Sequence, residues 1–131
     1  YTDQGKHSIE LALGFYELTS PREEQPAVLA ETLFTPAVAY RGQPIESAFQ
    51  GIDGGETLIP HWAQPEGRDG WVLRLHEVSG QRGHAKLRLA SGWCAQKINL
   101  LGEALSKPLR TNRLSYAPYE IVSLRLEKRA D

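Results

Sequence analysis

Four histidines and one cysteine are the side chains of this sequence best suited to hold a metal or act as a nucleophile: His7, His61, His76, His84 and Cys94. None of the histidines has H-x-H or H-E-x-x-H spacing, and Cys94 has no second thiolate to join it. A turn predicted between His76 and His84 would place these two on opposite strands, where an ordinary surface pair is the simpler interpretation. The sequence therefore predicts no metal site and no resident cofactor.

Nucleophilic and phosphate-binding motifs are also missing from the sequence. Ser91 and Cys94 lie in A-S-G-W-C, which has neither the G-x-S-x-G pattern nor a histidine beside the cysteine. Gly54 and Gly55 are not followed by the lysine and hydroxyl residue of a phosphate-binding loop. We interpret Cys94 as a strand residue and the glycine pair as a turn.

Two pairs of carboxylates are available for acid–base chemistry. Glu23 adjoins Glu24, and Glu66 lies close to Asp69, but both pairs occur in stretches rich in proline or charge. A general acid needs a desolvated carboxyl with a raised pKa. Exposed loops do not provide that enclosure, so the sequence predicts no catalytic residue.

Tryptophans are the strongest candidates for ligand contact. Trp62 and Trp71 flank the loop sequence QPEGRDG, residues 64–70, and we expect them to lie near one another. An indole face suits the C–H surface of a pyranose, so Trp62 and Trp71 are weak carbohydrate-contact candidates. Packing at strand ends is the plainer role for these residues and for Trp93.

Composition excludes several classes of partner. The 131 residues carry 15 basic and 16 acidic side chains, interspersed, with a net charge of -1. Such a chain has no field that would gather nucleic acid or an anionic membrane, and no apolar run reaches the ~20 residues of a membrane helix. A single cysteine favours a reducing, cytoplasmic location. The absence of methionine and the initial Tyr1 suggest a piece of a longer polypeptide.

Alternation of apolar and polar residues predicts several β-strands. The pattern is strong over His7–Leu18 and Glu120–Lys128, and it continues over Trp93–Leu100. The stretch Trp71–Leu89 alternates on both sides of the glycine-containing link 79–83, so we predict a central antiparallel hairpin there.

Other segments predict the remaining architecture. Pro26–Phe34 has the apolar side and the initial proline of a short helix, and Pro60 restricts Glu56–Trp62 to an edge or bulged strand. Ile45–Phe49 is a weak strand, and Leu101–Ser115 is irregular. Together these segments predict an all-β fold, an antiparallel two-sheet β-sandwich with one short helix at most, formed by a single domain over residues 1–131.

Three stretches resemble a known family when they are taken in order. They are DQGKH at Asp3–His7, DGWVLRLHEVSGQRGHAKLRL at Asp69–Leu89 and PYEIVSLRLEK at Pro118–Lys128. Together they resemble the C-terminal β domain of glycoside hydrolase family 38 α-mannosidases. The family-like positions are Asp3, Gly5, His7, Arg74, Glu77, Gly80, Pro118, Glu120 and Ile121.

The resemblance implies a non-catalytic accessory domain. Enzymes of this family use zinc and a carboxylate pair in a retaining mechanism, within an N-terminal catalytic domain whose motifs do not occur here. The implied partners are the catalytic and helical domains of the same polypeptide, and mannosides would be met through the parent enzyme. The resemblance further implies structural hydrogen bonds for Arg74 and Glu77. An independent carbohydrate-binding module that uses Trp62 and Trp71 is the alternative.

Overall fold

A computed structural model describes residues 5, 6, 8, 11–17, 19, 21, 24–35, 39, 41, 42 and 47–129. The chain divides into two compact units, Tyr1–Ala39 and Tyr40–Asp131. That both units belong to the single predicted domain, residues 1–131, stays a prediction. Within the described part of the chain, no helix is both long and apolar enough to cross a membrane.

The first unit contains the predicted helix. Helix α1 spans Pro26–Phe34, with the bounds that the sequence predicts, and Pro26 occupies its first turn. The strand predicted over His7–Leu18 does not form in 11–17, where every described residue is exposed and outside regular secondary structure. His7, Ile9, Glu10 and Leu18 lie outside the described residues.

The second unit is built of antiparallel strands in two sheets. The elements are β1 (Phe49–Asp53), β2 (Leu58–Glu66), β3 (Gly70–Glu77), β4 (Gly83–Leu89), β5 (Trp93–Ile98), β6 (Arg113–Tyr116) and β7 (Ile121–Lys128). One sheet has three strands in the order β1-β4-β6, and the other has four in the order β2-β3-β7-β5. This arrangement confirms the predicted two-sheet β-sandwich.

The core lies between the two sheets. Alternate side chains of the four-stranded sheet, such as Leu75 and Leu124, meet Leu87 and Leu114 of the three-stranded sheet in one buried cluster. Each fully buried aliphatic side chain contributes about 1.5–3 kcal/mol. Period-two alternation in the sequence is therefore the source of this core.

The central hairpin predicted over Trp71–Leu89 is wrong. β3 pairs with β2 and β7, whereas β4 pairs with β1 and β6, so the link between them crosses from one sheet to the other. The loop predicted over residues 64–70 is shorter than expected, because β2 continues to Glu66 and β3 begins at Gly70. The true hairpin is thus β2–β3.

Two further boundaries differ from the sequence prediction. The weak strand predicted over Ile45–Phe49 meets β1 only at Phe49, from which β1 runs to Asp53. Ser47 and Ala48 lie before the strand, and Ile45 and Glu46 lie outside the described residues. β6 begins at Arg113, within the stretch predicted to be irregular, Leu101–Ser115, and ends at Tyr116. The edge position predicted for Glu56–Trp62 is confirmed, since β2 is an outer strand whose register shifts between Pro60 and Trp62.

Candidate functional site

Glu66, one of the carboxylates considered for acid–base chemistry, is held by an arginine. Arg125 of β7 donates two hydrogen bonds to the Glu66 carboxylate, from Nε at 2.8 Å and from Nη2 at 2.9 Å, and donates a third to the Gly102 carbonyl. The hydrogen bond from Arg125 lowers the pKa of Glu66, although burial opposes it. Glu66 is therefore a charged structural partner, unsuited to donate a proton. Asp69 follows it in the exposed β2–β3 loop, and Glu23 lies outside the described residues.

Glu77 is a fully buried carboxylate at the end of β3. It accepts hydrogen bonds from the backbone N–H groups of Ser79, at 3.0 Å, and Tyr119, at 2.8 Å. Burial raises the pKa of Glu77, but the hydrogen bonds, led by that from Tyr119, outweigh it and lower the pKa to about 2. The carboxylate thus joins the end of β3 to the turn before β7.

The turn before β7 completes this junction. Glu120 accepts a hydrogen bond from the Ala117 N–H at 2.8 Å and forms an ion pair with Lys97 of β5 at 2.6 Å. Gly80 has a φ of 71°, and a Cβ atom there would lie 2.8 Å from the Tyr119 hydroxyl. Glycine therefore suits this position both by conformation and by space. These contacts give structural roles to several family-like positions.

The described histidines do not come together. His76 of β3 lies opposite Ile121, while His84 of β4 lies opposite Ser115 in the other sheet. The surface pair considered for them is wrong because β3 and β4 are not neighbours. Among the described residues, no three histidine, cysteine, aspartate or glutamate side chains are grouped as a metal would need. Cys94 lies half-buried on β5, opposite Glu127.

Trp62 and Trp71 belong to the same hairpin but to opposite faces of it. Trp62 lies opposite Arg74 in the pairing of β2 with β3, and the Arg74 guanidinium carbon is 4.6 Å from the centroid of its ring. Residue 71 is an odd number of positions from residue 74, so Trp71 points to the other face. The two indoles form no common platform, and carbohydrate contact by either stays a prediction.

Trp71 instead shares a cleft with Trp93. Both side chains lie on the core face of the four-stranded sheet, because Trp71 is opposite Leu126 and Trp93 is opposite Lys128 on the same strand, β7. They line a cavity of about 630 Å³ at the end of the sandwich, together with Phe49 and Leu73. This cleft is the candidate ligand site of the second unit.

Charged groups lie at the rim of this cleft. Its lining includes Arg68 and Asp69 of the β2–β3 loop, and Lys128, whose Nζ is 6.0 Å from the centroid of the Trp93 ring. A mostly apolar cavity with a few polar groups is the usual form of a small-molecule site. Sequence reasoning missed Trp93 as the partner of Trp71, since only the pairing of β3 and β5 with the same strand brings them together.

The first unit exposes large apolar side chains. Leu13 and Phe15 are fully exposed, and Leu11 is 88% exposed. On α1, Leu33 and Phe34 remain 60% and 57% exposed, and the helix has no buried residue. Contiguous apolar exposure of this kind marks surfaces that contact another chain or domain.

The fold and these contacts define a β-sandwich module whose charged pairs serve structure. A comparison with protein families matched residues 61–124 to the glycosyl hydrolases family 38 C-terminal beta sandwich domain. The match spans just under half of the chain, from β2 into β7. The match over residues 61–124 confirms the resemblance seen in the sequence. No curated protein and no solved structure matched the chain.

Proposed function

We propose that this chain is the non-catalytic C-terminal accessory domain of an α-mannosidase, a zinc-dependent retaining glycosidase whose active site lies in a separate N-terminal domain. The observation that carries the proposal is the match of residues 61–124 to the C-terminal sandwich of family 38. The parent enzyme would then bind mannosides, and its catalytic domain would hold the zinc. The single cysteine supports a cytoplasmic location.

The state of the buried and half-buried carboxylates supports a structural role. Glu66, Glu77 and Glu120 each have a lowered pKa, because arginine, lysine or backbone N–H groups hold the charged form. A glycosidase acid needs the opposite, a carboxyl whose pKa is raised. These three residues therefore stabilise the sandwich.

The exposed apolar side chains of the first unit support a docking role. Leu11, Leu13 and Phe15 occur in a segment whose alternation is typical of a strand with one buried face, yet all three are exposed. Burial of such side chains stabilises an association by about 1.5–3 kcal/mol each. We assign this face to contact with the catalytic and helical domains of the same polypeptide.

An association experiment tests the proposal. The 131-residue chain should bind the separately produced catalytic and helical portion of its polypeptide in analytical ultracentrifugation. The double substitution Leu13→Asp, Phe15→Asp should abolish binding. The control Leu101→Asp changes a side chain that is 85% exposed on the second unit and should leave binding intact. Absence of association, or equal loss in both variants, would refute the docking role.

The alternative, an independent carbohydrate-binding module, is favoured by one observation. The Trp71–Trp93 cleft presents two aromatic walls and a polar rim within the second unit. Such a cleft could contact a glycan with or without an attached catalytic domain.

A further inference from the structure

We propose that the Trp71–Trp93 cleft binds a pyranoside, with one sugar ring against the indoles, and that Trp62 takes no part. The inference deepens the alternative of a carbohydrate-binding module and does not rest on the accessory-domain role, because a sugar site in the second unit requires neither catalysis nor docking. It differs from the sequence prediction in its pair of aromatic residues.

The walls of the cleft are apolar and firmly positioned. Trp71 and Trp93 stand on β3 and β5, which flank β7, and between them lies Leu126, whose side chain is 1% exposed. Leu73, with 4% exposure, closes the inner end. Because the strands that carry the indoles pair with the same neighbour, the ring positions are set by sheet hydrogen bonds. Trp71 nevertheless keeps 40% of its surface exposed to a ligand.

The rim offers hydrogen-bonding groups of both charges. Arg68 and Asp69 lie in the turn between β2 and β3, and neither side chain has a hydrogen bond or ion pair with another described residue. Their N–H groups and carboxylate oxygens are thus available to external hydroxyl groups. Lys128 supplies further donors above Trp93.

The combination selects a sugar over other ligand classes. A pyranose ring has an apolar C–H face and a hydroxyl edge, which match indole walls and a rim of donors and acceptors. A phosphate-bearing ligand would be attracted by Arg68 and Lys128 but repelled by Asp69, and adenosine monophosphate tests that alternative. A wholly apolar side chain would desolvate Arg68 and Asp69 without replacing their hydrogen bonds. The cavity, about 630 Å³, has the size of ordinary small-molecule sites.

Titration of the 131-residue chain followed by the three indole N–H signals in nuclear magnetic resonance tests the inference. The probes are methyl α-mannopyranoside, methyl β-glucopyranoside, adenosine monophosphate and N-acetyltryptophanamide. Trp62 is an internal reference, because its exposed fraction, 38%, nearly equals the 40% of Trp71. We expect saturable shifts of the Trp71 and Trp93 signals with at least one pyranoside, and none at Trp62.

Variants identify the contacts. Trp71→Ala should weaken pyranoside binding about tenfold, the loss expected for one aromatic contact, and Trp62→Ala should leave it unchanged. Arg68→Ala should weaken binding several-fold, whereas Arg82→Ala, also at an exposed loop position, should not. If Trp71→Ala does not fold, the comparison of Arg68→Ala with Arg82→Ala still tests whether the rim of the cleft contacts the pyranoside.

Three results would overturn the inference. They are no shift with either pyranoside, equal shifts at all three indoles, and shifts at Trp71 and Trp93 caused only by adenosine monophosphate or N-acetyltryptophanamide. Because no catalytic domain is present in the titration, its failure would leave the docking result unaffected, and the reverse also holds.

Discussion

Glu77 is a fully buried carboxylate whose hydrogen-bond partners are backbone N–H groups. The amides of Ser79 and Tyr119 stabilise its charge at the point where β3 ends and β7 begins. The family resemblance singled out Glu77, but alternation alone would have placed a leucine or valine on that face. The buried charge of Glu77, at a core-facing position, therefore joins the end of β3 to the turn before β7.

Replacement of this carboxylate should be costly. Glu77→Gln keeps the shape of the side chain but directs an N–H₂ group at a backbone donor, and we expect the free energy of unfolding to fall by about 2–3 kcal/mol. Urea denaturation followed by tryptophan fluorescence measures the change. Glu127→Gln is the control: that side chain is 57% exposed and lies 3.7 Å from Arg125, so its loss should cost less than about 0.5 kcal/mol. Equal effects of the two substitutions would contradict the assigned role.

The lowered pKa of Glu77 should also make the stability of the chain depend on pH. The pKa of Glu77 falls from 4.5 to about 2 on folding, so the unfolded chain binds more protons between these values. Stability must then rise with pH across this window. The contribution, about 3 kcal/mol, is complete above about pH 5 and is lost progressively towards pH 2. The difference in unfolding free energy between pH 6 and pH 3 should be smaller in Glu77→Gln than in the unmodified chain, and identical differences would contradict this account.

The side-chain directions of the tryptophans could not be predicted from residue types and spacing alone. Spacing around residues 64–70 correctly places Trp62 and Trp71 on adjoining strands, but the register of the hairpin, in which Trp62 lies opposite Arg74, decides that the two indoles take opposite faces. A change of one residue in this register would reverse the face of Trp62. The register cannot be derived from alternation.

At the scale of elements, the pair of Arg125 and Glu66 joins strands that are not neighbours. β3 lies between β2 and β7, and Gly70 is opposite Glu66 at the point where the ion pair crosses. A Cβ atom at Gly70 would lie 2.8 Å from the Glu66 carbonyl oxygen. The glycine therefore permits the close approach of the Glu66 backbone beside the ion pair. The guanidinium also donates a hydrogen bond to the Gly102 carbonyl of the segment after β5.

A lysine cannot reproduce this geometry. Arg125→Lys loses the two parallel hydrogen bonds to Glu66, and we expect the free energy of unfolding to fall by about 1–2 kcal/mol, since the arginine side chain is 22% exposed. The matched control is Arg88→Lys in the exposed pair with Asp53, where the side chains are 57% and 54% exposed. That change should cost less than about 0.5 kcal/mol. Differential scanning calorimetry of both variants measures the difference. Equal melting temperatures would contradict the proposal that Arg125 and Glu66 hold β7 and β2 together.

The wrong hairpin shows why strand pairing was not predictable. The link 79–83 has the glycines of a hairpin turn, and local spacing gives no sign of longer-range partners. The structure instead pairs β3 with β7, about 50 residues further along the chain, and β4 with β1 and β6. Separation of β3 and β4 allows both to direct leucines into one core between the sheets. Burial of both apolar faces therefore decided the topology.

At the scale of the whole molecule, the described core belongs to the second unit. The buried cluster runs from Ala48 to Leu126, and the paired strands that the structure describes lie between Phe49 and Lys128. Composition and alternation were sufficient for the fold class. They were not sufficient for the first unit, where residues 11–17 have a strand pattern without forming a strand, because alternation predicts a buried face but not which surface buries it.

The chain without residues 1–39 should therefore fold. We expect the 40–131 fragment to unfold cooperatively in urea, with a midpoint close to that of the same unit in the 131-residue chain, because its hydrophobic core is complete. Circular dichroism and tryptophan fluorescence should give coincident transitions. A gradual or non-coincident transition would show that the first unit is required for the sandwich.

We propose that this chain supports the bond-breaking chemistry of a parent enzyme without performing it. The most direct test is hydrolysis of 4-nitrophenyl α-mannoside by the purified 131-residue chain with added zinc. We expect a rate equal to that of the buffer with zinc alone. Turnover that survives repurification and scales with protein concentration would contradict it.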